Sequence, residues 1–300
     1  MDHLALNVYL HGWTEQQSFV TGALAPVLRS LQAAGVLRRA WFTRFDARGP
    51  HVAVLVSTPA GRVDEAREAL SLAVEAWLAA RPSLETLDAD ALELRHSECR
   101  GKRLNALDAE PGFAAPGTFA FAPHPASGYP FYVFPEEDDA VWALLTDNSL
   151  ANAGGPPEGQ SASTAGLRWL AAVDHALAAA GADAAAYWRF HATTLLPGMP
   201  DRLRDDEQAV LDALPRTVGE RNLAAMDRVW AAVEADDGGE AGDRARRLVG
   251  ALLDGREPAA AWPLLREANH CGLLQLTLPV RSHVPAVLYA WQRALRPAAA

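Results

Sequence analysis

The stretch Ala40–Val56, AWFTRFDARGPHVAVLV, constrains the fold more than any other part of the 300-residue chain. Apolar and polar side chains alternate through Trp41, Phe42, Thr43, Arg44 and Phe45, the pattern of a strand with one wet face. Val52, Ala53, Val54, Leu55 and Val56 then run on without a polar break, as in a strand buried on both faces. Asp46, Ala47, Arg48, Gly49 and Pro50 between them carry turn chemistry, so the stretch reads as a hairpin over 40–57. Before it, Leu4–Leu10 alternates like a strand. Thr14, with Gln17 three residues on, opens an amphipathic helix that runs to about Ala34, is kinked at Pro26 and stops at Gly35. After it, Val63–Ala80 reads as a second helix. Strand, helix, strand, strand, helix is the opening of a split βαβ layer, which predicts a ferredoxin-like α+β arrangement.

From Leu84 to Gly128 the pattern weakens to a short strand near Leu92–Leu94 and irregular chain, a length that suits a functional loop. Tyr129–Phe134, YPFYVF, reads as an aromatic strand, with Pro130 favouring an edge or a place in the strand's first residues. Asp138–Leu145 begins a helical half. Further helices are expected over Thr164–Ala180, Asp183–Leu195, Asp205–Leu214, Gly219–Glu234, Ala241–Leu253, Ala259–Leu276 and Val284–Leu295, with a solvated break at Asp236–Gly239. The expected fold class is α+β: a ferredoxin-like βαββα layer with an aromatic strand, then a mainly helical half. The division is 1–150 for the layer, 151–163 for a flexible loop holding GGPPEGQ, and 164–300 for a helical portion packed on the first part as one compact domain.

Half of the residues are hydrophobic, enough for a sizeable core, and 27 basic against 37 acidic side chains give a net charge of -10. Such a charge opposes broad binding to a phosphate backbone. Cys99 and Cys271 match no zinc or redox spacing, so no metal or disulfide is expected and a reducing cytoplasm is inferred. MDHLALNVYLHGW is no signal peptide, and no apolar run approaches membrane-spanning length. No nucleotide-binding, zinc-protease, serine-hydrolase or kinase signature is present. Glu136, Glu137, Asp138 and Asp139 sit where a helix begins, where carboxylates serve the positive end of the helix dipole.

Three places hold chemistry-bearing side chains. Arg44, Arg48 and His51 cluster at the hairpin mouth, either to hold an anionic or amide-rich substrate or as ordinary strand and turn residues. His191 lies among Tyr187, Trp188 and Phe190, with Tyr187 four residues away on the same helix face; it is either a satisfied core histidine or a substrate contact. Residues 266–291, REANHCGLLQLTLPVRSHVPAVLYAW, set Asn269, His270, Gln275, Ser282, His283 and Tyr289 among apolar positions, which a core and a cleft accommodate equally.

NVYLHG, LAPVLRSLQAAG and WFTRF-x-x-x-GPHVAVLV together resemble the start of the small C-terminal domain of class I lantibiotic dehydratases, the thiopeptide-type bacteriocin biosynthesis domain. The chain's length is about that of this domain standing alone, and His270 lies where the family has its late histidine. The resemblance implies one of two chemistries on a ribosomally made peptide. Eliminating members remove glutamate from glutamylated Ser or Thr, leaving dehydroalanine or dehydrobutyrine. Stand-alone pyridine synthases join two dehydroalanines in a formal [4+2] cycloaddition, close a thiopeptide macrocycle and expel the leader peptide. After Pro50 and His51 the eliminating enzymes alternate arginine with aliphatic residues; this chain has Val52, Ala53, Val54 and Leu55. A glutamyl leaving group needs a guanidinium partner that an aliphatic strand does not supply. Neutral dehydroamino acids need orientation, a donor to an amide oxygen and a proton-transfer group.

The departure favours a cofactor-independent pyridine synthase-like macrocyclase. His270 and Tyr289 are then expected to transfer protons, and Asn269, Ser282 and His191 to orient substrate amides. Arg44 and His51 are expected to grip peptide backbone or leader. The implied partners are the modified precursor peptide and other biosynthetic enzymes, with no membrane and no nucleic acid, unless the chain works beside a tRNA-dependent glutamylating enzyme. The alternatives are a split glutamate-elimination enzyme and a non-catalytic leader-binding scaffold that adds the peptide to a sheet edge.

Overall fold

The structure is a computed structural model that describes residues 1–98, 102–195, 219–236, 238–276 and 280–295, together with 209 and 212. The chain divides into two compact units, Met1–Gly155 and Pro156–Ala300.

The first unit is an antiparallel sheet with helices. Strand β1 (Asp2–Tyr9) leads through helix α1 (Trp13–Phe19), a π-helical turn (Val20–Leu24) and helix α2 (Ala25–Ala33) to β2 (Arg39–Phe45), β3 (His51–Thr58) and helix α3 (Val63–Ala79). Helix α4 (Ala89–Glu98), a 3₁₀ turn (Ala106–Ala109), strand β4 (Phe119–Pro123) and helix α5 (Asp139–Ala153) complete it. The strand order is β2-β3-β1-β4, so β3 slots between β1 and β2: the split βαβ of a ferredoxin-like layer. In the register, Leu6 pairs with Val54 and Phe121, and Phe42 pairs with Val54. Leu4, Leu6, Val8, Ala40, Phe42, Val52, Val54 and Val56 therefore share one face. They pack in one cluster with Phe19, Val20, Leu24 and Leu28, and with Leu70, Val74 and Trp77 of α3. Each such valine or leucine, fully buried, contributes about 1.5–3 kcal/mol.

Pro26 stands in the first turn of α2, directly after a π-helical turn in which the Ala25 amide reaches back to the Val20 carbonyl, so its missing N–H falls where the helical ladder has already changed register. The expected irregularity falls just before it, in the π-helical turn. Gly49 supplies the positive φ (+101°) that closes the hairpin, and a Cβ there would meet the His11 ring and Leu92 at 3.4 Å. Asp138 caps α5 by accepting from the Val141 amide at 3.2 Å, the role its position suggested.

Three expectations are corrected. Strand β2 is buried on both faces, not half-exposed, because a second layer covers the sheet. Trp41 meets the Tyr129 ring at 5.2 Å, and Arg39 lies over the Trp142 ring and donates to Asp139 at 2.6 Å. Leu92–Leu94 belongs to helix α4, which Asp88 starts by accepting from the Ala91 amide at 2.8 Å. Tyr129–Phe134 is a run of turns, with Tyr132 and Phe134 amides donating to the Gly128 and Pro130 carbonyls. That geometry turns Phe131 and Phe134 inward onto Trp142 and leaves Tyr132 exposed. The aromatic strand is instead FAFAP, Phe119–Pro123, in a region expected to be irregular.

The second face of the sheet is buried but polar at its hairpin end. Asn7 donates to Asp108 Oδ1 at 2.9 Å and accepts from Asn105 Nδ2 at 2.9 Å. Asp108 Oδ2 accepts from the Leu104 and Asn105 amides at 2.8 and 3.1 Å. His51 Nε2 lies 3.4 Å from Asp108 Oδ1, while its Nδ1 donates to the Gly49 carbonyl at 2.9 Å. Burial alone would raise the Asp108 carboxyl, but the His51 ring and the two amides outweigh it and hold the group below its ordinary value.

The second unit is helical throughout its described elements: α6 (Ala162–Ala179), α7 (Ala184–Leu195), α8 (Glu220–Ala235), α9 (Gly239–Leu253), α10 (Pro258–Gln275) and α11 (Val280–Ala294). Ser161 caps α6 on the Thr164 amide at 3.1 Å. Leu170, Val173 and Leu177 of α6, Leu248, Val249 and Leu252 of α9, and Val287 and Trp291 of α11 are buried. Of the helix expected over Asp205–Leu214, Ala209 and Asp212 are helical and the other residues lie outside those described. Among the described residues no helix is long and apolar enough to cross a membrane.

Two outcomes follow for stability. Leu6→Ala, at the centre of the sheet's apolar face, should cost about 3 kcal/mol in denaturant unfolding. Asp108→Asn should cost about 2 kcal/mol at neutral pH, because an amide nitrogen would face donors. The depressed Asp108 carboxyl contributes stability that is present above the unfolded-state value near 4 and lost as pH falls through its lower folded value. The gap between the two proteins should therefore be full at pH 7 and close in acid below about pH 4, read from unfolding midpoints across pH.

Candidate active site

The hairpin-mouth residues separate onto opposite faces of the sheet. Arg44 pairs with Val52 and points to the helical face, whereas His51 pairs with Phe45 on the other. Arg44 is buried, stacks over the Trp13 ring at 4.6 Å, and donates to Gln16 Oε1 at 3.1 Å and Gln17 Oε1 at 2.7 Å. Desolvation lowers its guanidinium to about 9. Arg48 shares the His51 side, over the Tyr9 ring at 5.7 Å and paired with Glu110 at 2.5 Å. Arg48, His96, Lys102, Arg103 and Asp108 border a cavity of about 360 Å³. Neither face carries Arg44 and His51 together, so the structure brings His51 to Asp108 and Tyr9, partners sequence reasoning missed. The one available signal was the β1 alternation, which places Asn7 and Tyr9 on a single face.

In the second unit the late segment and α7 do converge. Asn269 on α10 is fully buried; its Oδ1 accepts from Trp169 Nε1 at 3.0 Å and its Nδ2 donates to the Tyr187 hydroxyl at 2.6 Å. The Tyr187 hydroxyl stands 3.3 Å from His191 Nδ1, one helical turn along α7. The His191 ring stacks on Trp188, 5.8 Å between centroids and 13° between planes, and Trp188 is anchored by Nε1 on Asp174 Oδ1 at 2.7 Å. Burial, then the charges of His270, Arg266 and His283, push His191 well below its ordinary basicity, so it is neutral. Burial also raises the Tyr187 hydroxyl, which stays protonated.

His270 on α10 meets His283 on α11, Nδ1 to Nδ1, at 3.3 Å. Two such nitrogens share a hydrogen bond only when one is bare, so the pair holds a proton between two rings at that contact. Tyr289 lies farther along α11; its hydroxyl donates to Asp227 and its ring meets Trp230 at 4.9 Å. Burial, aided by Asp227, pushes that hydroxyl up to about 12. Ser282 falls within α11, and its side chain lies outside those described.

The group formed by Asn269, Tyr187, His191 and Trp169, with His270 and His283 nearby in electrostatic reach, is chemically coherent. It offers neutral hydrogen-bond donors and a histidine pair able to exchange a proton. Tyr187 beside His191 was legible from four-residue spacing; Trp169, a hundred residues from Asn269, was not.

Residues 4–109, about a third of the chain, match the family model for the C-terminal region of the lantibiotic biosynthesis dehydratases. No curated protein matches the chain in sequence. Among solved structures, the pyridine synthase TbtD from thiomuracin biosynthesis is similar over 98% of this chain and 97% of its own, with a TM-score of 0.68 and 21% identity. The tRNA-dependent lantibiotic dehydratase MibB from Microbispora sp. 107891 aligns at 15% identity over 97% of this chain and 28% of its own, with a TM-score of 0.47. The first third of the chain thus carries the sequence pattern of the lantibiotic dehydratase C-terminal region, and the fold is similar to that of the solved pyridine synthase.

Proposed function

We propose that this protein is a cytosolic, cofactor-independent enzyme of ribosomal-peptide maturation that joins two dehydroalanines by a formal [4+2] cycloaddition. The product would be the six-membered nitrogen heterocycle of a thiopeptide, with the macrocycle closed and the leader peptide released. The observation that carries this reading is the match in fold across nearly the whole of both chains to a stand-alone pyridine synthase. A second supports it: on β3, Val52, Val54 and Val56 point into the helical core and Ala53 and Leu55 occupy the other face. No position on that strand supplies the guanidinium that glutamate elimination would use.

In this reading the second unit carries the chemistry. His270 and Tyr289 are the proton-transfer groups for tautomerising the reacting amide and for the closing eliminations. His270 hands its proton along the His283 contact, and Tyr289 acts through the hydroxyl held on Asp227. His191 and Ser282 orient the amide that becomes the ring nitrogen, with Asn269 acting through Tyr187. Arg44 and His51, buried on opposite faces of the first unit's sheet, act on peptide or leader only through the hairpin they hold in place. The partners are the dehydrated, azole-bearing precursor and the enzymes that prepare it.

Mass spectrometry of the protein incubated with a dehydrated precursor distinguishes the readings. Cyclisation frees the leader, elimination from a glutamylated precursor leaves dehydrated peptide with leader attached, and a scaffold binds without turnover. His270→Ala should lower cyclisation by roughly 10²-fold or more. Unchanged rates in both His270→Ala and Tyr289→Phe would remove the proton-transfer assignment.

A further inference from the structure

The hydrogen atoms of the buried chain in the second unit can be placed one by one. Trp169 has only a donor, so Asn269 turns its carbonyl oxygen to it and its NH₂ to Tyr187. The Tyr187 oxygen thereby accepts, and its own hydroxyl proton must go elsewhere. Tyr187 is fully buried, and His191 Nδ1 is the acceptor within reach among the described residues. If Nδ1 instead carried the proton, the tyrosine would receive two donors and strand its own, which costs about 1–3 kcal/mol in a dry site. His191 Nδ1 is therefore bare and its single proton sits on Nε2. That Nε2 is buried and has no hydrogen-bond partner among the described residues. His191 Nε2 is one of several buried atoms whose partner the described residues do not supply, and it is the one at the end of this hydrogen-bonded chain.

We propose that Tyr187, oriented by Asn269 and Trp169, is a positioning residue that locks His191 in the Nε2–H tautomer, so that His191 presents a neutral N–H to a carbonyl oxygen of the bound peptide. Trp188, flat against the ring and itself tied to Asp174, which also accepts from Trp230 Nε1 at 3.4 Å, fixes the plane of the ring, and the Tyr187 contact fixes which edge carries Nδ1. The depressed basicity of His191 supports the same role, since a neutral imidazole donates one proton without carrying charge into the site. The ligand class is a neutral acceptor, an amide or its imidate tautomer. The tautomer lock stands on geometry alone, and only the identity of the acceptor rests on the proposed cyclisation.

The test is nitrogen-15 NMR of the full chain labelled at histidine, near neutral pH. In the native protein His191 should show a protonated Nε2 and a bare Nδ1. Tyr187→Phe should release the lock, moving the ring nitrogens toward a mixture of tautomers. Should that variant fail to fold, Asn269→Asp reads the same property: an aspartate accepts from Tyr187 and draws its proton away from His191. A protonated Nδ1 in the native protein, or ring shifts unchanged in the variant that folds, overturns the lock. Titration with N-acetyl-dehydroalanine methylamide and with its saturated alanine counterpart then probes the acceptor. A downfield move of the Nε2 proton with either probe supports the donor role, and no move with both overturns it. A response to the saturated probe alone leaves the lock and the donor in place while counting against dehydroalanine chemistry, so the two readings fail separately. In turnover, His191→Phe, which removes the donor outright, should cost roughly 10²-fold, the scale of one lost oxyanion-type donor, and Tyr187→Phe, which leaves part of the population in the Nε2–H tautomer, should cost less.

Discussion

The pairing of β1 with β3 at the centre of the sheet is the constraint on which the first unit rests. A one-residue slip would carry Leu4, Leu6 and Val8 to the polar face and bring Asn7 into the helical core. Burial on both sides makes that slip expensive twice over, because each face is specified by a different chemistry. One is aliphatic and takes three helical segments; the other ends in Asn7, His51 and Asp108. The polar end has a further consequence. Residues 104–110 contain no strand, and they hold to the sheet through the hydrogen bonds that converge on Asp108 together with the buried Leu107 side chain.

Much of this layer was legible because its signals are local. Val52–Val56 announced a doubly buried strand, and the order of strands and helices gave the split βαβ connection. What was misread depended on distant partners. Thr43 and Arg44 suggested a half-wet strand although each face of β2 carries one polar residue among apolar ones, and Tyr129 and Trp142, from far along the chain, keep the outer side dry. YPFYVF has the composition of a strand, but its proline lacks a donor and its aromatics are needed three apart on a turn to meet Trp142.

The same division runs through the candidate site. The four-residue spacing of Tyr187 and His191 was visible, and so was the density of polar residues around Asn269 and His270. Whether these lay in a core or a cleft was open, since a buried polar group looks alike in either until its partners are counted. Counting them settles most: Asn269 is satisfied on both ends by Trp169 and Tyr187, so taken alone it is an ordinary structural amide. His191 differs, because a chain of satisfied donors and acceptors ends at its Nε2 and stops there.

That unfinished chain bears on which chemistry suits this sequence. A reaction that expels glutamate concentrates negative charge on the leaving carboxylate, and catalysis by guanidinium groups follows from Coulomb attraction in a partly dry pocket. A cycloaddition between neutral partners has no comparable ion to stabilise; a cation buried beside it would pay its desolvation without a counter-charge. What lowers its barrier is holding the reacting amide in one tautomer and one orientation, work suited to fixed, uncharged donors. The aliphatic β3 and the neutral His191 are consistent with the same requirement. The first removes charge where the eliminating enzymes place it, and the second offers a donor that carries none.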